Sequence, residues 1–154
     1  MFGDSFMNKQ KVLVSACLVG KNCKYDGKNN KNEKIISFLK DKEVYLVCPE
    51  VMGGMTTPRN KSEIIIEGNK TRVIDEHHQE VTFFFVKGAN EALQIALDHQ
   101  IDYAILKEKS PSCGYKKRYD GTFSNKVIAG SGIFAQLLKQ HSIKILTEED
   151  FQEE

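Results

Sequence analysis

The run Val12-Leu13-Val14, ending at Ser15-Ala16-Cys17, decides the fold of this chain. It is short, apolar and β-branched, without alternation, as expected of a strand buried on both faces. The pattern recurs three times. Val44-Tyr45-Leu46-Val47 ends at Cys48-Pro49-Glu50, Tyr103-Ala104-Ile105-Leu106 runs into residues 107–114, and Ile143-Lys144-Ile145-Leu146 closes the chain. Between these runs the apolar spacing becomes helical. Ile35, Ile36 and Leu39, flanked by Phe38, predict a helix over residues 32–40. Ala89, Leu93, Ala96 and Leu97 predict one over 87–99, and Ile133, Phe134, Leu137 and Leu138 one after Gly130-Ser131-Gly132. Residues 63–67 and 71–75 frame the turn Gly68-Asn69 and predict a hairpin. Residues 115–123 look hairpin-like, and residues 20–30 and 51–62 read as loops. Strands alternating with helices imply right-handed crossovers. The expected class is α/β: a single domain with a mostly parallel sheet, helices on both faces in a Rossmann-like three-layer arrangement, and a small β-hairpin.

Composition narrows the function. The chain has 154 residues, 22 Lys+Arg against 21 Asp+Glu, a formal net charge of +1 and 40% hydrophobic residues. That balance excludes the strongly basic surface of a dedicated nucleic-acid binder, and the apolar content excludes disorder. No apolar run approaches the roughly 18–20 residues that span a membrane. Residues 1–10 read as a loose tail without the apolar run of a signal peptide, and residues 11–154 as one domain. The expected location is the cytoplasm, where thiols stay reduced and grouped cysteines point to metal or catalysis. Glu148, Glu149, Asp150, Glu153 and Glu154 read as a solvated acidic end.

Four cysteines are too few for a disulfide scaffold. Cys17, Cys48 and Cys113 each stand at or shortly after the carboxyl end of an expected strand, and those ends emerge on one edge of a parallel sheet. Cys23 lies on the long loop after the first strand, able to fold over the same rim. Structural zinc normally uses two close cysteine pairs, whereas Cys17 and Cys23 have five residues between them. A cluster of iron and sulfide bridges distant loops more readily. Buried structural thiols, zinc and such a cluster all stay open on spacing alone. Glu50 follows Cys48 by two positions and is a candidate acid–base residue. Ser110-Pro111-Ser112-Cys113-Gly114 puts two hydroxyls near a thiol, and Asp26 lies in a turn. Lys107, Lys109, Lys116, Lys117 and Arg118 flank Cys113 and could offset an anionic site. Ser131 reads as a helix N-cap and His77-His78 as solvated residues.

Val14-Ser15-Ala16-Cys17-Leu18-Val19-Gly20, Cys23-Lys24-Tyr25-Asp26-Gly27 and Cys48-Pro49-Glu50 resemble the domain-of-unknown-function 523 family, whose characterised members are thiouracil desulfidases. Gly53-Gly54, Thr57-Pro58-Arg59, Ser110-Pro111-Ser112-Cys113-Gly114 and Tyr119-Asp120-Gly121-Thr122-Phe123 follow in the family's order. The resemblance implies a [4Fe–4S] cluster held by three cysteines, with one iron open to the substrate's sulfur. By motif the ligands are Cys17, Cys48 and Cys113, with Cys23 a further candidate. Glu50 is the acid–base residue, Ser110 a substrate-positioning hydroxyl, and Asp26 and Ser112 substrate-binding residues. The implied reaction is non-redox: a thiolated pyrimidine of the 2-thiouracil type becomes the oxo base and sulfide is released. The expected partner is a small thiolated base rather than nucleic acid or membrane. Two other readings compete: a metal-free sulfurtransferase carrying persulfide on Cys113, its thiol activated by Lys107 and Lys109, and a non-catalytic metal-binding module.

Overall fold

The structure, a computed structural model, describes residues 9–152. Most of the expected tail, and Glu153 and Glu154 of the acidic end, therefore lie outside the described residues. Gln10 does not behave as tail. Its carbonyl accepts from Glu43 N–H, and its side chain accepts from the Tyr103 hydroxyl.

The four expected strands are β1 (Lys11–Ser15), β2 (Glu43–Val47), β5 (Tyr103–Leu106) and β8 (Lys144–Thr147). They form one sheet in the order β2-β1-β5-β8, with every pairing parallel. Only β1 and β5 are buried along their length, because β2 and β8 are the sheet's edges and leave residues such as Leu46 and Lys144 exposed. Alternation along β1 explains why its sequence is apolar on both sides. Val12 and Val14 pack with Leu18, Ile35, Leu39 and Ile105 on one face, beneath α1 (Glu33–Phe38). Leu13 packs on the other with Ala104, Leu106 and Ile145, beneath α3 (Thr82–Asp98) and α4 (Ile133–Gln140). Helices thus cover both faces, as expected. The hairpin β3 (Ser62–Glu67) and β4 (Lys70–Asp75) forms around Gly68-Asn69.

Three elements differ from the sequence reading. Residues 51–62 do not begin as loop: α2 (Pro49–Met52) is a one-turn helix opened by Cys48 and Pro49 and stopped at Gly53. Proline suits a first helical position because its missing N–H would have had no partner there. Helix α3 starts at Thr82, five residues earlier than expected. Phe83-Phe84-Phe85-Val86 has strand-like composition, but Phe85 continues the stripe of Gly88, Ala89, Ala92 and Ala96 into the core while Phe83 stays 69% exposed. Helical spacing of the buried positions overrides local propensity. The second hairpin pairs β6 (Lys117–Tyr119) with β7 (Val127–Ala129), so its turn is longer than residues 115–123 suggest.

The acidic end is also structural. Glu148 bonds Lys107 and the Glu108 N–H, Glu149 pairs with Lys117, and Asp150 closes a capping box with Thr147. His77 and His78 are exposed, as expected.

Candidate active site

The chain leaves β1, forms β2 on one side, and returns to form β5 on the other side of β1. Loops leaving the carboxyl ends of β1 and β5 therefore diverge and open a crevice, the usual ligand position in an open parallel sheet. Here the crevice is a cavity of about 350 Å³ lined by all four cysteines, with Glu50, Arg59, Ser110 and Ser112.

Cys17, Cys48 and Cys113 each follow the end of a different parallel strand, and Cys23 lies on the loop after β1. Cys17 opens the turn after β1, and Asn30 Nδ2 donates to its sulfur at 3.4 Å. Burial raises the Cys17 thiol, an effect that bond partly offsets. Cys48 caps α2, its Sγ 3.6 Å from the carbonyl of Cys23. The Cys48 thiol is lowered to about 7, first by a bond from the Cys23 thiol and then by the Val51 N–H of α2. The same contact raises Cys23. Cys113 is 5% exposed, and burial pushes its thiol well up although Ser15 offsets part of this. Cys23 thus belongs to the same group as the other three.

The loop bearing Cys113 is held from both sides. Ser110 Oγ accepts from the N–H groups of Ser112 (3.1 Å) and Cys113 (3.0 Å), which shapes the turn and leaves its own hydrogen to donate. The first N–H groups of α4 point at this loop: Gly132 donates to Gly114 O, Ile133 to Pro111 O and Phe134 to Ser112 O. Those donors are therefore taken, and the helix start carries no anion site. Gly132, not Ser131, is the N-cap; Ser131 Oγ instead donates to Tyr115 O. Gly132 permits this approach because an added Cβ would lie 2.6 Å from the Ser112 carbonyl carbon. Glu108, 1% exposed, accepts from the N–H groups of Tyr115, Lys116 and Lys117.

Glu50 sits between two donors. Arg59 Nε donates to Oε1 at 2.9 Å, and the Ser112 hydroxyl donates to Oε2 at 3.2 Å. Ser112 thus meets the acid rather than standing apart from it. Asp26 does not line the cavity: its Oδ1 accepts from Lys28 N–H and its Oδ2 lies 3.9 Å from Lys24 Nζ. Of the expected basic flank, Lys107 and Lys109 line the cavity, whereas Lys116, Lys117 and Arg118 do not. Sequence reasoning gave no role to Arg59 or Asn30. Arg59 was visible as the end of Thr57-Pro58-Arg59, but Asn30 had no signal beyond a turn-rich loop.

Parallel strand ends that bring four thiols, a paired carboxylate and two hydroxyls into one cavity define a thiol-centred α/β enzyme site. The model of the 2-thiouracil desulfurase family matches residues 12–150, and the chain belongs to that family. It is 38% identical over 145 residues to the uncharacterized protein YbbK of Bacillus subtilis (strain 168), covering 90% of this chain and 96% of that protein. It also resembles the solved structure of the [4Fe–4S]-dependent thiouracil desulfidase TudS (DUF523Vcz), with a TM-score of 0.83 and 37% identity over 92% of this chain and 93% of that one. The family and the α/β fold agree with the expectations from sequence.

Proposed function

We infer that this chain hydrolyses the carbon–sulfur bond of a thiolated pyrimidine of the 2-thiouracil type, giving the oxo base and sulfide. The supporting observation is a cavity lined by four thiols and by Glu50, itself held between Arg59 and Ser112. The donor chemistry fits a [4Fe–4S] cluster: soft sulfur ligands come from three strand ends, with Cys48 already drawn toward the thiolate that metal binding requires. Cys17, Cys48 and Cys113 would hold the group, with Cys23 beside Cys48. When bound, such a cluster supplies a Lewis-acidic iron that draws electron density from the thiocarbonyl.

The chain's own residues do the rest. Glu50 takes a proton from the attacking water, since each of its oxygens has one donor in the structure and a lone pair to spare. The carbon–oxygen bond forms, the carbon–sulfur bond breaks, and sulfur leaves as sulfide with no net electron transfer. Ser110 donates its hydroxyl hydrogen to the base, and Ser112 steadies Glu50. Asp26 lies outside the cavity lining, its carboxylate engaged by the Lys28 N–H and Lys24. The substrate we favour is a small base in a reducing cytoplasm, not a nucleic acid. Among the described residues no helix is long and apolar enough to cross a membrane.

Persulfide chemistry on Cys113 is less well supported. The thiol is buried and raised, and Lys107 is engaged by Glu148 instead of activating it. Anaerobic reconstitution with iron and sulfide, followed by incubation with 2-thiouracil, tests the reading. Stoichiometric uracil and sulfide are expected only from cluster-loaded protein. Equal release by the metal-free protein would refute it.

A further inference from the structure

Arg59 is a strong cation of the cavity that the reaction above leaves without a task. Its side chain is 6% exposed and that of Glu50 14%. Each nitrogen of the guanidinium has a partner: Nε meets Glu50 Oε1 at 2.9 Å, Nη2 meets Cys23 O at 2.8 Å, and Nη1 meets Thr56 O and Thr57 Oγ1. The Arg59 backbone N–H donates to Tyr25 O at 2.7 Å. One residue thus ties the loop after β1 to α2, which carries Glu50 beside the capping Cys48.

The manner of contact is informative. An arginine facing a carboxylate often engages both oxygens with two parallel bonds, consuming much of the acid's acceptor capacity. Arg59 touches Glu50 at one oxygen only and spends the rest of its fork on backbone and Thr57. The carboxylate is fixed at both ends, by Arg59 on Oε1 and Ser112 on Oε2, yet keeps lone pairs free. Such a fixture orients a general base without blocking it.

We propose that Arg59 is the positioning residue for Glu50, setting the direction of its carboxylate in the cavity; this rests on Glu50 being the base of the proposed reaction. Lysine would keep the charge but not the fork, so Arg59→Lys should retain only part of the effect.

The test is a double-mutant cycle on reconstituted holoenzyme with 2-thiouracil, using wild type, Arg59→Ala, Arg59→Lys, Glu50→Gln and the corresponding doubles. Arg59→Ala should lower kcat about 100-fold, the scale expected for a reacting group misplaced by about 1 Å, with little change in KM and normal iron content. Arg59→Lys should lose less, and added guanidinium ion should restore part of the Arg59→Ala activity. In the Glu50→Gln background either Arg59 change should cost nothing further. Additive losses, near wild-type kcat in Arg59→Ala, or activity falling only in step with iron content would overturn the proposal. If Arg59→Ala does not fold, the cycle with Arg59→Lys decides. If wild type releases no sulfide, the proposed function fails, and the same cycle read on thermal unfolding decides whether Arg59 and Glu50 are coupled. Additive melting shifts would then overturn the pairing.

Discussion

Gly88→Ala should damage a site that the glycine does not touch. Gly88 lies in α3 and faces α2, the turn of helix that begins at Cys48 and carries Glu50. An added Cβ would lie 2.6 Å from the Pro49 carbonyl carbon and 2.9 Å from Gly53 N. Comfortable carbon–carbon contact begins at about 3.5 Å, so α2 must move away by about 1 Å. Both neighbours are backbone, and no side chain can swing aside. Two effects oppose each other: alanine gains about 1 kcal/mol of helix propensity over glycine, and overpacking costs about 1–3 kcal/mol. With a backbone clash the upper end applies, leaving a net loss of about 1–2 kcal/mol. For a chain of this length that lowers Tm by about 2–8 °C. The larger effect falls on catalysis, because a 1 Å displacement of Cys48 and Glu50 costs about 100-fold in rate. Thermal melts and kcat of reconstituted enzyme measure both. Gly68→Ala is the control: with φ +63° it is strained, but it has nothing within 4 Å, so it should lose stability and keep kcat. A Gly88→Ala protein with unchanged or higher Tm and full kcat would refute the claim that close helix contact places the site.

Alanine at Cys17, Cys48 or Cys113 should abolish the iron absorption of reconstituted protein, whereas Glu50→Gln should retain it and lose about 10²–10⁴-fold in kcat. In metal-free protein Cys48 should be alkylated first by iodoacetamide, as read by peptide mass spectrometry. Its thiol titrates at about 7 while the other three are raised above their usual value, so its rate should climb through pH 6–8 and level off above. Cys23→Ala removes the donor to Cys48 and should shift that profile to higher pH. Glu108→Ala strands the N–H groups of Tyr115, Lys116 and Lys117 and should lower unfolding free energy in urea by about 3 kcal/mol.

The sheet was legible because its two central strands, β1 and β5, are buried on both faces, and a short continuous apolar run such as Val12-Leu13-Val14, bounded by polar residues, fits few places in a fold besides a central strand. Strand ends then located three thiols without any knowledge of contacts. What escaped was decided by tertiary packing. The first turn of α3 looks like a strand until Phe85 is seen facing the core, and α2 packs against α3 through the close approach of Gly53 and Gly88. Asp26, inside a motif, serves the turn itself, here closed by its own bond from the Lys28 N–H. Arg59 and Glu50 are nine residues apart, with a loop between them that no periodicity describes.

The near-neutral charge of the chain conceals how its acids are used. Glu108 holds the end of the Cys113 loop by three backbone N–H groups, and Glu148 holds its beginning. Glu63, 4% exposed, accepts from Gly121 and Phe123 and fixes the hairpin turn beside the cavity. These carboxylates spend acceptor capacity on loop backbone: Glu108 and Glu148 on the loop that follows the parallel strand β5, and Glu63 on the turn between the antiparallel strands β6 and β7. A ligand set drawn from three distant strand ends would otherwise have to be ordered when the ligand binds, at the expense of affinity. Here the ordering is done during folding. Glu50 is the exception among the cavity's buried or half-buried acids: its contacts are to side chains, Arg59 and Ser112, and neither blocks its remaining lone pairs. The carboxylate with acceptor capacity left over is therefore the one whose neighbours orient it instead of using it as a fastener.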